Sequence, residues 1–242
     1  MNLQINNITV CHDEVNIVEN ISFNIESGQI LGLIGANGSG KSTLLKALID
    51  SVPKFGTANL VKTNQEKLAQ PNSLTFGFVP EEPILYDYLS VIGNFQLTSV
   101  AKGVQDNHSE IINIIRILRL DLLANRKAQS LSQGEKKRLA IGLSLIGNPD
   151  VMILDEPHNG LDVEGLAILK KIIRVKCKDH IIILCSHFFS EIEALCDKIL
   201  LLDQGRDIVY DSIENLRKQY QSVENMFNIK IYKSINEEDI TF

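Results

Sequence analysis

The sequence predicts an α/β fold with a mostly parallel core sheet, an antiparallel N-terminal β subdomain and a helical insertion. Three observations carry that prediction. Short apolar runs at 30–34, 74–79, 151–154 and 181–185 each end in polar residues and lead towards a helix-forming stretch. The opening residues alternate instead, with Leu3, Ile5, Ile8 and Val10, then Ile21, Phe23 and Ile25. From about 84 to 128 the strand pattern disappears, and Ile111, Ile114, Ile115, Leu118 and Leu122 recur at three- and four-residue spacing.

Taken in order, residues 2–10 and 21–25 read as strands, the second closing at the turn Glu26-Ser27-Gly28. The pair predicts an antiparallel edge added to the larger parallel sheet. The buried strand 30–34 runs into a glycine-rich turn and then a helix over 41–50, stopped near Pro53. Residues 56–74 are polar, with one strand at 57–61. Strand 74–79 is broken by Pro80, and the loop Pro80-Glu81-Glu82-Pro83 leads into the helical insertion. A helix runs from 131 to about 146 and ends at Asn148-Pro149. Strand 151–154, helix 162–176, strand 181–185 and a helix to about 196 alternate as in a doubly wound sheet. Strands 198–202 and 206–210 flank Asp203-Gln204-Gly205 as a hairpin, and a helix covers 212–220. The tail from 225 alternates weakly through Phe227, Ile229 and Ile231 and predicts no definite element.

The 242 residues, 44% of them apolar, suit one domain over 1–242, with a helical subdomain at about 84–148 and a C-terminal extension at 212–242. The net charge of −6 argues against binding nucleic acid through the whole surface. The cysteines at 11, 177, 185 and 196 form no C-x-x-C pair, and 177 and 185 lie in or beside apolar runs, so they read as reduced core residues. The N-terminus lacks the basic and apolar regions of a signal peptide. Apolar runs are far shorter than the ~20 residues that span a bilayer.

The turn after 34 reads Gly35-Ala36-Asn37-Gly38-Ser39-Gly40-Lys41-Ser42-Thr43 and fits G-x-x-x-x-G-K-[ST]. Glycines at 35, 38 and 40 let the backbone approach an anion, and the freed N–H groups with the following helix start form an anion site. Gly35, Asn37, Gly38, Ser39, Gly40, Lys41, Ser42 and Thr43 are therefore the candidate nucleotide-binding residues. Lys41 brings a charge to the β- and γ-phosphates and Ser42 offers a hydroxyl to Mg²⁺. A dinucleotide fingerprint fails, because it needs Gly at 43 and the chain has Thr43. The fold class sharpens to a P-loop NTPase.

In open α/β sheets the ligand sits beyond the carboxyl ends of the strands, so the other strand ends become candidates too. Asp155 would hold Mg²⁺ opposite Ser42, and Glu156 is placed as general base for an attacking water. His187 would contact the γ-phosphate or that water. Ser132-Gln133-Gly134-Glu135 is an S-x-x-E capping box, and a capped helix start beside a glycine remains an anion site. A second helix start on the same phosphate asks for a second subunit.

Residues 35–43, 131–135, 151–157 and 186–187 resemble the ATP-binding cassette family in order and spacing, and the likeness covers about residues 1–212. Leu131-Ser132-Gln133-Gly134-Glu135 is similar to its LSGGQ signature, with Gln for the central Gly and Glu for the last Gln. Val151–Pro157 looks like its Walker B strand and Asn159-Gly160-Leu161-Asp162 like its D-loop. The resemblance implies hydrolysis of ATP with Mg²⁺ by a head-to-tail dimer. Each phosphate loop would face the Ser132 and Gly134 of an identical or homologous second cassette subunit. It also implies a separate multi-spanning permease as partner, no nucleic acid, and a peripheral place on the cytoplasmic face of the cell membrane. His12 falls where the family stacks an aromatic ring on adenine. Glu81 stands where Gln usually reaches Mg²⁺, as in a subset of exporter-type cassettes. His158 replaces a small hydroxyl residue and is expected on the surface without a role. A soluble cassette in cofactor assembly is the alternative; a GTP switch would want N-K-x-D, which the chain lacks.

Overall fold

The computed structural model describes residues 1–61, 74–104 and 108–232. The described residues within Met1–Pro71 and Ile183–Phe242 make one compact unit, and those within Asn72–Ile182 make another.

The first unit opens with β1 (Asn2–His12), β2 (Val15–Glu26), β3 (Ile30–Gly35), α1 (Lys41–Leu48) and β4 (Phe55–Val61). β1 pairs antiparallel with β2 on one side and β4 on the other. Its core-facing residues keep to one face through a bulge. Ile5 and Ile8 are both buried although three apart, because the register slips between them and Asn7 takes φ 54°. Asn tolerates that left-handed conformation better than a branched residue would. The opening strands were expected as an edge of the parallel sheet. They form their own three-stranded sheet, β2-β1-β4, because both ladder edges of β1 are already used.

The second unit holds β5 (Phe76–Val79), α2 (Val91–Ala101), α3 (His108–Ile117), α4 (Gln133–Leu145), β6 (Val151–Asp155) and α5 (Val163–Cys177). The division between units falls inside β7 (Ile181–Cys185). β5 and β6 are parallel, with Phe76 opposite Val151 and Val79 opposite Leu154. The predicted insertion resolves into α2, α3 and two short 3₁₀ turns at Asp121–Leu123 and Ala128–Ser130. Phe95, Ile111, Ile114, Ile115, Leu118 and Leu139 are buried. Gly142 lets α4 come close: a Cβ there would lie 2.6 Å from both Phe95 Cζ and Leu118 Cδ1. Lys102 Nζ donates to the Ile146 carbonyl at 2.9 Å, a cation at the C-terminus of α4. Fully buried Asn94 accepts from Tyr86 N–H and donates to the Tyr86 and Ser90 carbonyls, so it holds the loop ahead of α2 in one shape.

The first unit resumes with α6 (Phe189–Leu195), β8 (Lys198–Asp203), β9 (Arg206–Ser212), α7 (Ile213–Tyr220) and α8 (Val223–Ile231). β3 runs parallel to β8, and β8 returns antiparallel in β9 through Gln204-Gly205, both at positive φ as a two-residue hairpin demands. The tail left without an element is α8. Ser222 caps it, accepting from Asn225 N–H at 3.0 Å, and Val223, Met226 and Phe227 supply a helical buried face. The weak alternation misleads because Ile229 is exposed and belongs to no strand face. The residues after 232 lie outside the described ones. Among the described residues no helix is long and apolar enough to cross a membrane.

β5 depends on one missing side chain. A Cβ on Gly77 would lie 2.3 Å from the Ser144 carbonyl oxygen of α4 and 2.9 Å from Pro149 Cγ. A glycine inside a strand marks such a close backbone approach. Gly77→Ala must push strand and helix apart, and is expected to cost about 1–3 kcal/mol. The check is a urea unfolding midpoint lowered without change of slope; an unchanged midpoint would show that α4 yields freely.

Candidate nucleotide-binding and hydrolysis site

β3 delivers the phosphate loop at Gly35, and α1 begins at Lys41. The loop is packed backbone against backbone. A Cβ at Gly35 would meet the Leu202 carbonyl at 2.5 Å, and one at Gly40 the Ile17 carbonyl at 2.9 Å. Gly40 also caps α1 at φ 100°, and Leu44 N–H returns to its carbonyl at 2.8 Å. The Ser39 carbonyl accepts from Gly205 N–H at 3.0 Å, which pins the middle of the loop to the β8–β9 turn. Ser39 is buried, and its hydroxyl has no hydrogen-bond partner among the described residues.

The first turn of α1 carries no acidic residue, so the positive end of the helix is left for an anion. Lys41 Nζ donates to the Gly35 and Ala36 carbonyls at 2.8 and 3.0 Å, folded over its own loop. Those neutral carbonyls, its partners among the described residues, can be exchanged for phosphate oxygens, which carry full charge. Ser42 is exposed at the rim and Thr43 is half-buried. Glycines that leave no room for a Cβ, a buried hydroxyl, a helix N-terminus and the Lys41 ammonium suit a polyphosphate.

The same unit holds His12 and His187. His12 ends β1 beside the turn Asp13-Glu14, both at positive φ; its exposed ring places Nδ1 3.1 Å from Asp13 Oδ2. His187 follows β7 and Ser186, exposed, with its ring 4.1 Å from that of Phe188.

The second unit gathers the carboxylates. β6 ends in Asp155, followed by Glu156, and both are buried. Glu156 sits at φ 43°, a conformation that costs energy in a residue with a full side chain. His158, expected on the surface, is not there: its side chain is 8% exposed, and Nε2 lies 3.2 Å from Glu156 Oε2. The reason is the tight turn at Glu156, which folds the chain back so that the residue two positions on covers the carboxylate.

Glu81 lies in the exposed loop after β5. Its carbonyl and that of Pro80 accept from Lys137 Nζ at 2.8 and 3.0 Å. Lys137 is completely buried, which pushes its pKa down from 10.5 to about 8 against the pull of Asp155, Glu81 and Glu156. Nothing in the charge run Glu135-Lys136-Lys137-Arg138 marks its third member as a core residue, since such runs normally face solvent.

The S-x-x-E reading holds as a local structure. Ser132 Oγ accepts from Glu135 N–H at 3.3 Å, and Glu135 Oε2 accepts from Ser132 N–H at 2.7 Å. The bond from Ser132 N–H, first among several causes, holds the Glu135 pKa below the usual value. Gly134 faces the next loop closely: a Cβ on it would lie 2.9 Å from the Gly160 carbonyl. Asp162, in the D-loop-like stretch, caps α5 by accepting from Gly165 N–H at 2.8 Å.

The candidate residues thus fall into two sets. His12, the loop 35–43 and His187 belong to one unit; Glu81, Ser132, Gly134, Asp155 and Glu156 belong to the other. Lys137 and His158 join the second set from the structure. Ser42 in the first unit, and Glu81 and Asp155 in the second, each carry an oxygen of the hard type that suits a divalent cation such as Mg²⁺.

Comparison with known proteins agrees with the chemistry. The sequence profile described as "ABC transporter" matches residues 18–159. The lantibiotic transport ATP-binding protein SrtF of Streptococcus pyogenes is 34% identical over 224 residues, 91% of this chain and 96% of that one. An uncharacterized ABC transporter ATP-binding protein of Methanocaldococcus jannaschii is 30% identical over 96% of this chain and 85% of its own length. A solved structure described as the ATP binding subunit of an ABC transporter superposes with a TM-score of 0.82 at 25% identity, covering 94% of this chain and 98% of that one. The chain belongs to the ABC transporter family and is one of its ATP-hydrolysing, nucleotide-binding subunits.

Proposed function

We propose that this chain works as half of an ATP-bridged cassette pair, identical or homologous, that drives a separate multi-spanning permease from the cytoplasmic face of the membrane. The observation that carries the reading is the phosphate cradle of Gly35–Lys41 together with the buried pair Asp155 and Glu156, the latter held by His158. The loop N–H groups and Lys41 bind and neutralise the β- and γ-phosphates. Bound Mg²⁺, ligated by Ser42, Asp155 and Glu81, would offset charge on the transferring group. Glu156 orients the attacking water and takes its proton, and His187 reads the γ-phosphate. Ser132 and Gly134 present a helix start to the partner's ATP. Hydrolysis removes the γ-phosphate that these contacts need, so the pair loosens, and that is the stroke. The exposed Ile84, Tyr86 and Tyr88 ahead of α2 offer the permease an apolar surface. Glu81 favours export as the direction.

Lys41→Ala is expected to lower ATP hydrolysis at least ~10²-fold, the scale seen when one group stabilising a transition-state charge is removed. A wild-type rate in a colorimetric phosphate assay would overturn the site. Base recognition should be loose, because an exposed imidazole stacks with less area than Tyr or Trp. GTP should therefore compete with ATP within roughly tenfold in a displacement titration, about 1.4 kcal/mol. A preference for ATP above about a hundredfold would show that other groups read the base.

Glu156→Gln keeps size and hydrogen bonding but removes the base, so it should bind ATP, turn over very slowly and accumulate as a pair. Adding Ser132→Arg places a bulky side chain against the opposing phosphate and should return monomer. Sedimentation velocity with ATP, with ADP and without nucleotide reads both. The same mass in all three, or a double variant that still pairs on ATP, removes the bridged pair from consideration.

A further inference from the structure

We propose that Lys137 is the positioning residue that fastens the Pro80–Glu81 loop to the helix beginning at Ser132, so that the two move together during hydrolysis. The proposal deepens the hydrolysis reading and rests on it where it gives Glu81 a part at the site. Both segments belong to the second unit. The Pro80 and Glu81 carbonyls lie past the end of β5, so no strand ladder remains to satisfy them. Lys137 Nζ takes both, at 3.0 and 2.8 Å, from a side chain that is 0% exposed. The rest of α4 offers the loop no comparable polar partner among the described hydrogen bonds.

A buried ammonium is an expensive way to fill space. A hydrophobe of like volume is often as stable or more so, whereas removing one partner of a buried charge is strongly destabilising. The geometry explains the cation: two carbonyl oxygens of consecutive residues converge on one point, and three carboxylates, Asp155, Glu81 and Glu156, act favourably on it. The anchor is to main chain, so it holds the loop whatever the Glu81 side chain does. It also joins two surfaces with different tasks. One end of α4 carries Ser132 and Gly134; the loop carries Glu81 and leads towards the exposed Ile84 and Tyr86. A displacement at the helix start would therefore reach the Pro80 and Glu81 carbonyls through the Lys137 side chain, while main-chain bonds from Ala128 and Gln129 hold the loop farther on, at Leu89 and Asp87.

The test uses the full chain. Lys137→Met keeps length and removes the donors; Lys137→Gln restores an amide donor. The chain contains no tryptophan, so Glu82→Trp on the exposed loop gives a single reporter. Lys137→Met should lower kcat about tenfold or more with KM for ATP within about twofold, the sign of an interaction used in the reaction but not in binding. Lys137→Gln should return kcat to within about threefold of wild type. The anisotropy of the Trp reporter should fall in the Met background and recover in the Gln background. Combining Lys137→Met with Glu81→Ala should be no slower than Glu81→Ala alone, since both act through one loop. A wild-type kcat for Lys137→Met, an unchanged anisotropy, or additive losses in the double variant would overturn the tether. If Glu81→Ala alone keeps the wild-type rate, the assignment of Glu81 to the metal falls, and the tether is still decided by the Met and Gln pair with the reporter. Should Lys137→Met fail to fold, Lys137→Gln decides: turnover and anisotropy that hold or fall together support the tether, and a split between them overturns it.

Discussion

Backbone packed on backbone around the phosphate loop is the constraint on which the first unit depends. Gly35 sits against the Leu202 carbonyl and Gly40 against that of Ile17, with no room for a Cβ at either place. The β8–β9 turn donates into the loop at Ser39, and Gly205 in turn accepts from Glu19 N–H at 2.8 Å. Strands β2, β3 and β8 therefore meet at one stretch of main chain. Such packing suits the task. An anion bound by N–H groups needs them fixed before it arrives, because ordering a loose glycine loop would consume binding energy. The glycines allow the path, and the surrounding carbonyls and N–H groups keep it rigid.

The second unit faces the opposite problem. Asp155 and Glu156 are both buried at the end of β6, where an unpaired carboxylate is costly. The compensation is shared. Lys137 brings a cation into the same neighbourhood, and the His158 ring lies against Glu156. Its position gives Glu156 a fixed orientation as well as a polar contact, and the positive φ of Glu156 adds a backbone strain that the neighbouring structure must hold. A residue proposed to aim one oxygen at a water benefits from being held in this way.

At the helix start the charges run differently from the family pattern. The signature-like stretch ends in Glu135 where Gln is usual, and its carboxylate is spent on the Ser132 N–H in the capping box. The anion site proposed to face a partner's ATP is therefore flanked by a negative side chain, offset by the helix dipole and by its own hydrogen bonds. On the surface proposed for the permease, the buried Asn94 amide fixes Tyr86 and Ser90 from below. The apolar residues there are exposed on a shaped loop, which lowers the entropy lost when a partner covers them.

By itself the sequence determined what is local. The glycine spacing of 35–40, the apolar strands ending at Ile34, Leu154 and Cys185, the S-x-x-E cap at Ser132 and the helical period through Ile111–Leu118 each depend on neighbours a few residues away. Steric limits and hydrogen-bond geometry act at that range. The family followed from the order of these local pieces. Tertiary structure alone decided the separate β2-β1-β4 sheet, because which ladder edge of β1 is used depends on β4, some fifty residues on. It turned the weak alternation from 225 into part of α8, where Val223, Met226 and Phe227 found a buried side. It also decided that His158 and Lys137 are inside. A polar side chain reads as exposed until something packs over it, and what packs over Lys137 is a loop that ends more than fifty residues earlier in the chain.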